Sequence, residues 1–189
     1  MSSEILPIVT FDDDILRKPT EEIPGDSPEL QALIDAMFAT MYNSKGVGLA
    51  APQINSTQRI FITNTDPMTS DDEDEDDIGE MVFINPTITW SSDEKNEMEE
   101  GCLSIPDIHD KITRPEKITI EYFDREFNKQ ELTVDGWVAR VIQHEYDHLE
   151  GKLFIDYLGS FRRRILRKRL NEIATGAKEV GYPVLPKEG

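Results

Sequence analysis

Residues 144–148 read His-Glu-Tyr-Asp-His. On a helix, two histidines four apart lie one turn from each other on the same face. That pair can grip one metal ion, and the glutamate between them can handle protons at a metal-bound water. The chain has three histidines in all, so two of them stand in this one motif. A catalytic site needs a third protein ligand and an open water position. Three completions compete. A downstream histidine in the pattern HExxHxxGxxH fits at Gly151 but ends on Phe154, which cannot bind metal. Glu172 on a later helix could serve, although it sits among dense basic residues. Cys102, upstream, offers a thiolate.

The sequence around Cys102 favours the last. It runs Glu99-Glu100-Gly101-Cys102-Leu103-Ser104-Ile105-Pro106, with a glycine immediately before the cysteine. Glycine lets the backbone approach a ligand closely, and the residue after the cysteine can aim its N–H at a substrate oxygen. A third block, Gly46-Val47-Gly48-Leu49-Ala50-Ala51-Pro52-Gln53, makes room for close backbone contact and ends on an amide donor. Taken alone it is a weak signal. Two rival classes stay open: an endopeptidase using Glu172, and a protein whose metal is purely structural.

These residues must be positioned by recognisable elements. Ser27-Pro28 reads as a helix cap followed by proline in the first turn. Leu30, Leu33, Ile34, Met37, Phe38 and Met41 then repeat at helical spacing. Arg59 to Asn64 reads as a strand. Met81–Asn85 and Thr87–Trp90 read as two short strands broken at Pro86. Lys117 to Phe123 alternates, and with Gln130–Val134 it forms a hairpin. Asp135 is placed to cap the helix that carries the histidines, and Gly151 to end it. Ser160 is placed to cap a last helix, about 160–176, with Ile165, Leu166, Leu170 and Ile173 inward. The class is α+β: small mixed or antiparallel sheets packed around a central metal-binding helix, with an N-terminal and a C-terminal helix. One domain over 1–189 is expected from length.

Composition narrows the function. The chain is 38% hydrophobic, with no apolar run of membrane-spanning length. It shows no signal or transit peptide, so a cytoplasmic location is expected. A single cysteine excludes an intramolecular disulfide and agrees with a reducing compartment. A lone cysteine is otherwise most often a small buried hydrophobe. The net charge of -18 argues against general nucleic-acid affinity. Residues 66–80 hold nine acids and no base, which predicts a mobile loop. By contrast Arg162, Arg163, Arg164, Arg167, Lys168 and Arg169 make the outer face of the last helix basic.

The three ordered blocks, GxGxAAxQ at 46–53, EGCLS at 100–104 and QHExDH at 143–148, together resemble the peptide deformylases. These enzymes remove the formyl group from N-formylmethionine on new proteins. The resemblance runs from about residue 5 through the last helix, and the acidic stretch looks like an insertion. It implies a metal held by Cys102, His144 and His148 with water as fourth ligand. Ferrous iron (Fe2+) is the expected native ion, with Zn2+, Ni2+ or Co2+ as alternatives. It further implies Glu145 as acid/base, and Gln53 and the Leu103 N–H as oxyanion donors. Substrate contacts are expected from Val47, Gly48, Glu100, Gly101, Trp137 and Val141. Of these, Trp137 and Val141 are equally at home as core residues. The expected partners are nascent N-formylmethionyl polypeptides, and no membrane is expected. The basic face of the last helix fits two readings equally, a contact with the ribosome and a solvated face that balances the acidic stretch.

Overall fold

The structure is a computed structural model that describes residues 4–66 and 78–187. Helix α1 spans Pro28–Asn43, opened by Ser27, whose hydroxyl accepts the Leu30 N–H at 3.1 Å. The chain then enters the short strand β2 (Gly48–Ala50), a 3-10 turn (Ala51–Ile54) and strand β3 (Ile60–Asn64). Strands β4 (Glu80–Ser91), β7 (Lys117–Phe123) and β8 (Lys129–Asp135) join them in a five-stranded antiparallel sheet, ordered β2-β3-β4-β7-β8.

Alternation along these strands serves two faces at once, because the sheet lies between two helices. Ile60 and Ile62 of β3, with Val82 and Ile84 of β4, pack on the α1 side against Ile34, Met37 and Met41. Phe61 and Phe83 point the other way and stack at 4.6 Å between ring centroids. There they meet Val138, Ala139, Ile142 and Leu149 of helix α2 (Gly136–Leu149), the helix with the two histidines. Between β4 and β7 the chain makes a second hairpin from β5 (Lys95–Cys102) and β6 (Ile105–Pro115). Ile105, Ile108 and Ile112 of β6 pack with Leu153, Phe154 and with Leu166 and Ile173 of helix α3 (Ser160–Ala174). The third sheet is a parallel pair of β1 (Ile8–Val9) with β9 (Val184–Leu185). The fold is thus α+β, with α2 between the main sheet and the β5–β6 hairpin.

Several expectations need correction. Pro86 does not end a strand. β4 runs through it as an irregularity in pairing, with Asn85 at φ 48 and its side chain bonded to both Ile23 N and Ile23 O at 2.8 Å. A residue without an N–H is tolerated where the ladder is already interrupted. Asp135 stands at the start of α2 but makes no capping bond; its carboxylate pairs with Lys117 at 3.1 Å. Gly159, not Ser160, occupies the cap of α3. Ile165 faces outward, 53% exposed, while Leu166 and Ile173 carry the packing. Most of the acidic run lies outside the described residues; at its neck the Gly79 N–H donates to the Asp66 carboxylate at 2.7 Å.

Candidate metal centre and its cleft

Helix α2 delivers His144 and His148 from one face, and β5 delivers Cys102 from its last residue. The ligand atoms of Cys102, His144 and His148 all lie within 4.8 Å of one another. Cys102 Sγ stands 3.4 Å from His148 Nε2. No other such cluster of ligating residues occurs among the described residues. Glu172, the rival third ligand, lies on α3 beside Lys168 at 4.0 Å and is not in the group.

The histidines are oriented from behind. His144 Nδ1 meets Glu100 Oε2 at 2.9 Å, which turns its other nitrogen toward Cys102. Glu100 is itself held by Arg114, whose Nε and Nη2 reach its two oxygens at 2.6 and 3.0 Å, and by Arg140 Nη1 at 2.9 Å. Arg114 also donates to Asp147 at 2.7 Å, and Asp147 accepts the Tyr157 hydroxyl at 2.7 Å. Burial alone would push the Glu100 carboxyl up, but the His144 and Arg114 bonds outweigh it and hold it well below the usual range. Burial likewise opposes charge on His144, yet its bonds to Cys102 and Glu100 raise its pKa well above the ordinary value. His148 is pushed well below that value, by burial first and by its neighbour His144 second. Anionic neighbours thus dominate at His144, and burial dominates at His148. A thiol and two imidazoles fit a borderline-soft divalent ion, so the residues present suit the metal that the motif implies.

Glu145 sits beside this cluster, 5% exposed, with Oε2 buried and without a hydrogen-bond partner. Burial pushes its pKa up to about 7, against the charge of His144 and with that of Glu100. It lies directly over Gly48: a Cβ there would stand 2.5 Å from Glu145 Oε1 and 2.8 Å from its Cδ. The second glycine of the GxG block thus leaves the space that the glutamate of the helix occupies. Gln53 is buried in its 3-10 turn. Its Oε1 accepts the Ala50 N–H at 2.9 Å, and its Nε2 faces Cys102 Sγ at 3.5 Å and Ser104 Oγ at 3.2 Å. Leu103 and Ser104 form the turn between β5 and β6.

Cys102, His144, Glu145, Gln53 and Leu103 line a cleft of about 560 Å³ that also takes in Val47, Gly48, Gly101, Trp137 and Val141. Glu100 is the exception to the expected substrate contacts. Although it borders the cleft it is 4% exposed, with both oxygens committed to Arg114, Arg140 and His144. Its geometry is that of a residue orienting a ligand. Sequence reasoning missed Arg114 and Arg140, although Arg140 stands one helical turn before His144, a spacing that could have flagged it. It also missed His109, whose ring lies across the hairpin from Gly101 and fills the space a side chain there would need. The tail residues Glu179, Val180, Gly181 and Tyr182, left unassigned from sequence, border the cleft as well.

The chain is similar to known proteins over most of its length. The model of the family described as polypeptide deformylase matches residues 5–164. A peptide deformylase of Salinibacter ruber is 46% identical over 97% of this chain and 96% of its own. The crystal structure of the peptide deformylase of Ehrlichia chaffeensis superposes with a TM-score of 0.85 at 36% identity, covering 92% of this chain and 99% of that one. The same enzyme in complex with actinonin gives 0.83 at 35% identity. With the fold, the motifs and these relatives in accord, the chain belongs to the polypeptide deformylase family.

Proposed function

We propose that Cys102, His144 and His148 hold one divalent ion, and that Glu145 moves the protons as the enzyme removes the N-formyl group from newly made polypeptides, the reaction of this family. The observation that carries the assignment is the convergence of three ligand atoms within 4.8 Å beside a buried glutamate with an unbonded oxygen. The native ion on this reading is ferrous iron, with zinc, nickel or cobalt able to occupy the same donors. When bound, the ion supplies Lewis acidity at the formyl oxygen and makes water at the site easier to deprotonate.

The chain's own groups do the rest. Glu145 accepts a proton from water and returns it to the departing amine. A pKa of about 7 suits both tasks near neutral pH. The Gln53 amide and the Leu103 N–H meet charge as it develops on the carbonyl oxygen; each such donor is typically worth roughly 3–4 kcal/mol. Trp137 and Val141, on the same face of α2 as His144, line the slot for the methionine side chain. β2 is an edge of the main sheet, so an extended peptide can add beside Val47 and Gly48 as a further strand. Products are formate and a free amino-terminal methionine.

The test is formate release from a formyl-methionyl peptide, with metal content assayed on the same anaerobic preparation. Release in proportion to bound metal is expected, and none from a fully loaded protein would overturn the reading. Glu145→Ala is expected to keep its metal and lose about 10²–10⁴-fold in turnover. Cys102→Ser separates this site from a protease using Glu172, which would keep its metal.

The reading also carries a cytoplasmic place of action and a ribosomal contact through α3. Arg163, Arg164 and Arg167 are exposed and, among the described residues, in no salt bridge. Reversing the charge at Arg163 and Arg167 is expected to weaken ribosome binding and to leave formate release from a free peptide unchanged. Unchanged ribosome affinity would remove this part.

A further inference from the structure

After α3 the chain turns at Gly176 (φ 70), and residues 179–182 border the cleft. The returning segment is fastened along its length. Lys178 Nζ pairs with Asp107 at 2.6 Å, the Ile8 N–H donates to Pro183 O at 3.0 Å, β9 pairs with β1, and Lys187 Nζ reaches Asp14 at 2.9 Å. It begins beyond residue 164, where the match to the family model ends. Between its fastenings Tyr182 packs against the α1 core, and its hydroxyl donates to the Leu103 carbonyl at 2.7 Å.

That carbonyl belongs to the Leu103-Ser104 turn, which is held at two further points. The Phe11 N–H donates to Ser104 O at 3.0 Å, and Gln53 Nε2 to Ser104 Oγ at 3.2 Å. Both of those restraints act on Ser104. Among the described residues, Tyr182 is the side chain that bonds Leu103 itself, at the carbonyl one Cα away from the N–H assigned to the oxyanion. A backbone donor stabilises developing charge only when it is aimed beforehand, and small misplacements of such groups are costly.

We infer that Tyr182 is a positioning residue for catalysis: by gripping the Leu103 carbonyl, the returning C-terminal segment sets the direction of the Leu103 N–H. The inference rests on the proposed role of Leu103. Phenylalanine at 182 keeps the ring and its packing and removes only the hydroxyl bond, so Tyr182→Phe in the full chain is the informative variant.

Two readouts on zinc-loaded protein decide the matter: steady-state kinetics with a formyl-methionyl tripeptide, and backbone amide hydrogen exchange at Leu103 by NMR. In Tyr182→Phe we expect kcat per bound metal to fall about tenfold with KM within about twofold. Exchange at Leu103 should quicken while α2 amides stay as in the wild type. Wild-type kcat per bound metal with wild-type exchange would overturn the inference. So would a loss of activity explained wholly by lost metal or by unfolding. If the wild type itself releases no formate, the functional reading falls, and the exchange comparison alone still judges the grip of Tyr182 on Leu103.

Discussion

Glu100 receives four donor atoms on two buried oxygens: two from Arg114, one from Arg140 and one from His144. Removing one partner of such a buried cluster leaves charge uncompensated, which costs far more than the pair is worth relative to apolar packing. Arg114→Met removes two of the four donors on Glu100 and the cation that pairs with Asp147, and is expected to lower stability by about 3–5 kcal/mol. Urea denaturation of the zinc-loaded proteins checks this. Gly48→Ala acts differently. Its methyl meets the carboxylate of Glu145, so turnover per bound metal is expected to fall roughly a hundredfold, with metal content unchanged. Formate release and metal analysis on one sample separate the two. At this scale the histidine pair was legible from its spacing and Cys102 from its glycine-flanked block, and the structure brings the three side chains together. Arg114 and Arg140 were not, because a strand or helix arginine reads as a solvated surface residue until the fold buries it against a carboxylate.

Among the elements, the regular ones were readable and the irregular ones were not. The periodicity of α1 and the alternation of β7 follow from faces that must be buried. The β5–β6 hairpin escaped notice beyond its EGCLS end. β5 is largely polar, and its pattern comes from pairing with β6 rather than from a buried face of its own. Pro86 misled for a related reason: the bulge at Asn85 depends on Ile23, far away in sequence. Long-range ties of this kind also join the segments before and after the main sheet. Arg17 forks onto Asp156 at 2.5 and 3.1 Å, pinning the 3-10 turn Phe154–Tyr157 that follows α2. Burial alone would raise the Asp156 carboxyl, but Arg17 outweighs it and holds it below the ordinary range. A carboxyl lowered in the folded state stabilises above its unfolded pKa, about 4, and that contribution is lost as pH falls through the folded value. Asp156→Asn is therefore expected to lower Tm at pH 7 and to match the wild type in strong acid. A constant gap across a Tm–pH series would contradict the ion pair as its cause.

For the molecule as a whole, the acidic stretch is entered and left at one point of the main sheet. Asn64 and Glu80 are already register partners, and the Asp66–Gly79 bond closes the neck. Replacing residues 67–77 with a short Gly-Ser link is expected to leave formate release unchanged and to shift Tm by no more than about 2 °C, because loop-closure entropy varies slowly with length. Kinetics and a thermal scan on that variant check it. The pairing of β1 with β9 bears on a different property, the order in which this enzyme comes into being. Ile8 and Val184 are partners across nearly the entire chain, among the most non-local contacts a fold can make and so among the slowest to form. The residues proposed to hold the metal, Glu145 and the proposed oxyanion donors all lie at or before His148 in the chain, and Tyr182 and β9 lie after them. In folding, the local hairpins and helices are therefore expected to bring the proposed ligands together before β9 finds β1 and residues 179–182 complete the border of the cleft.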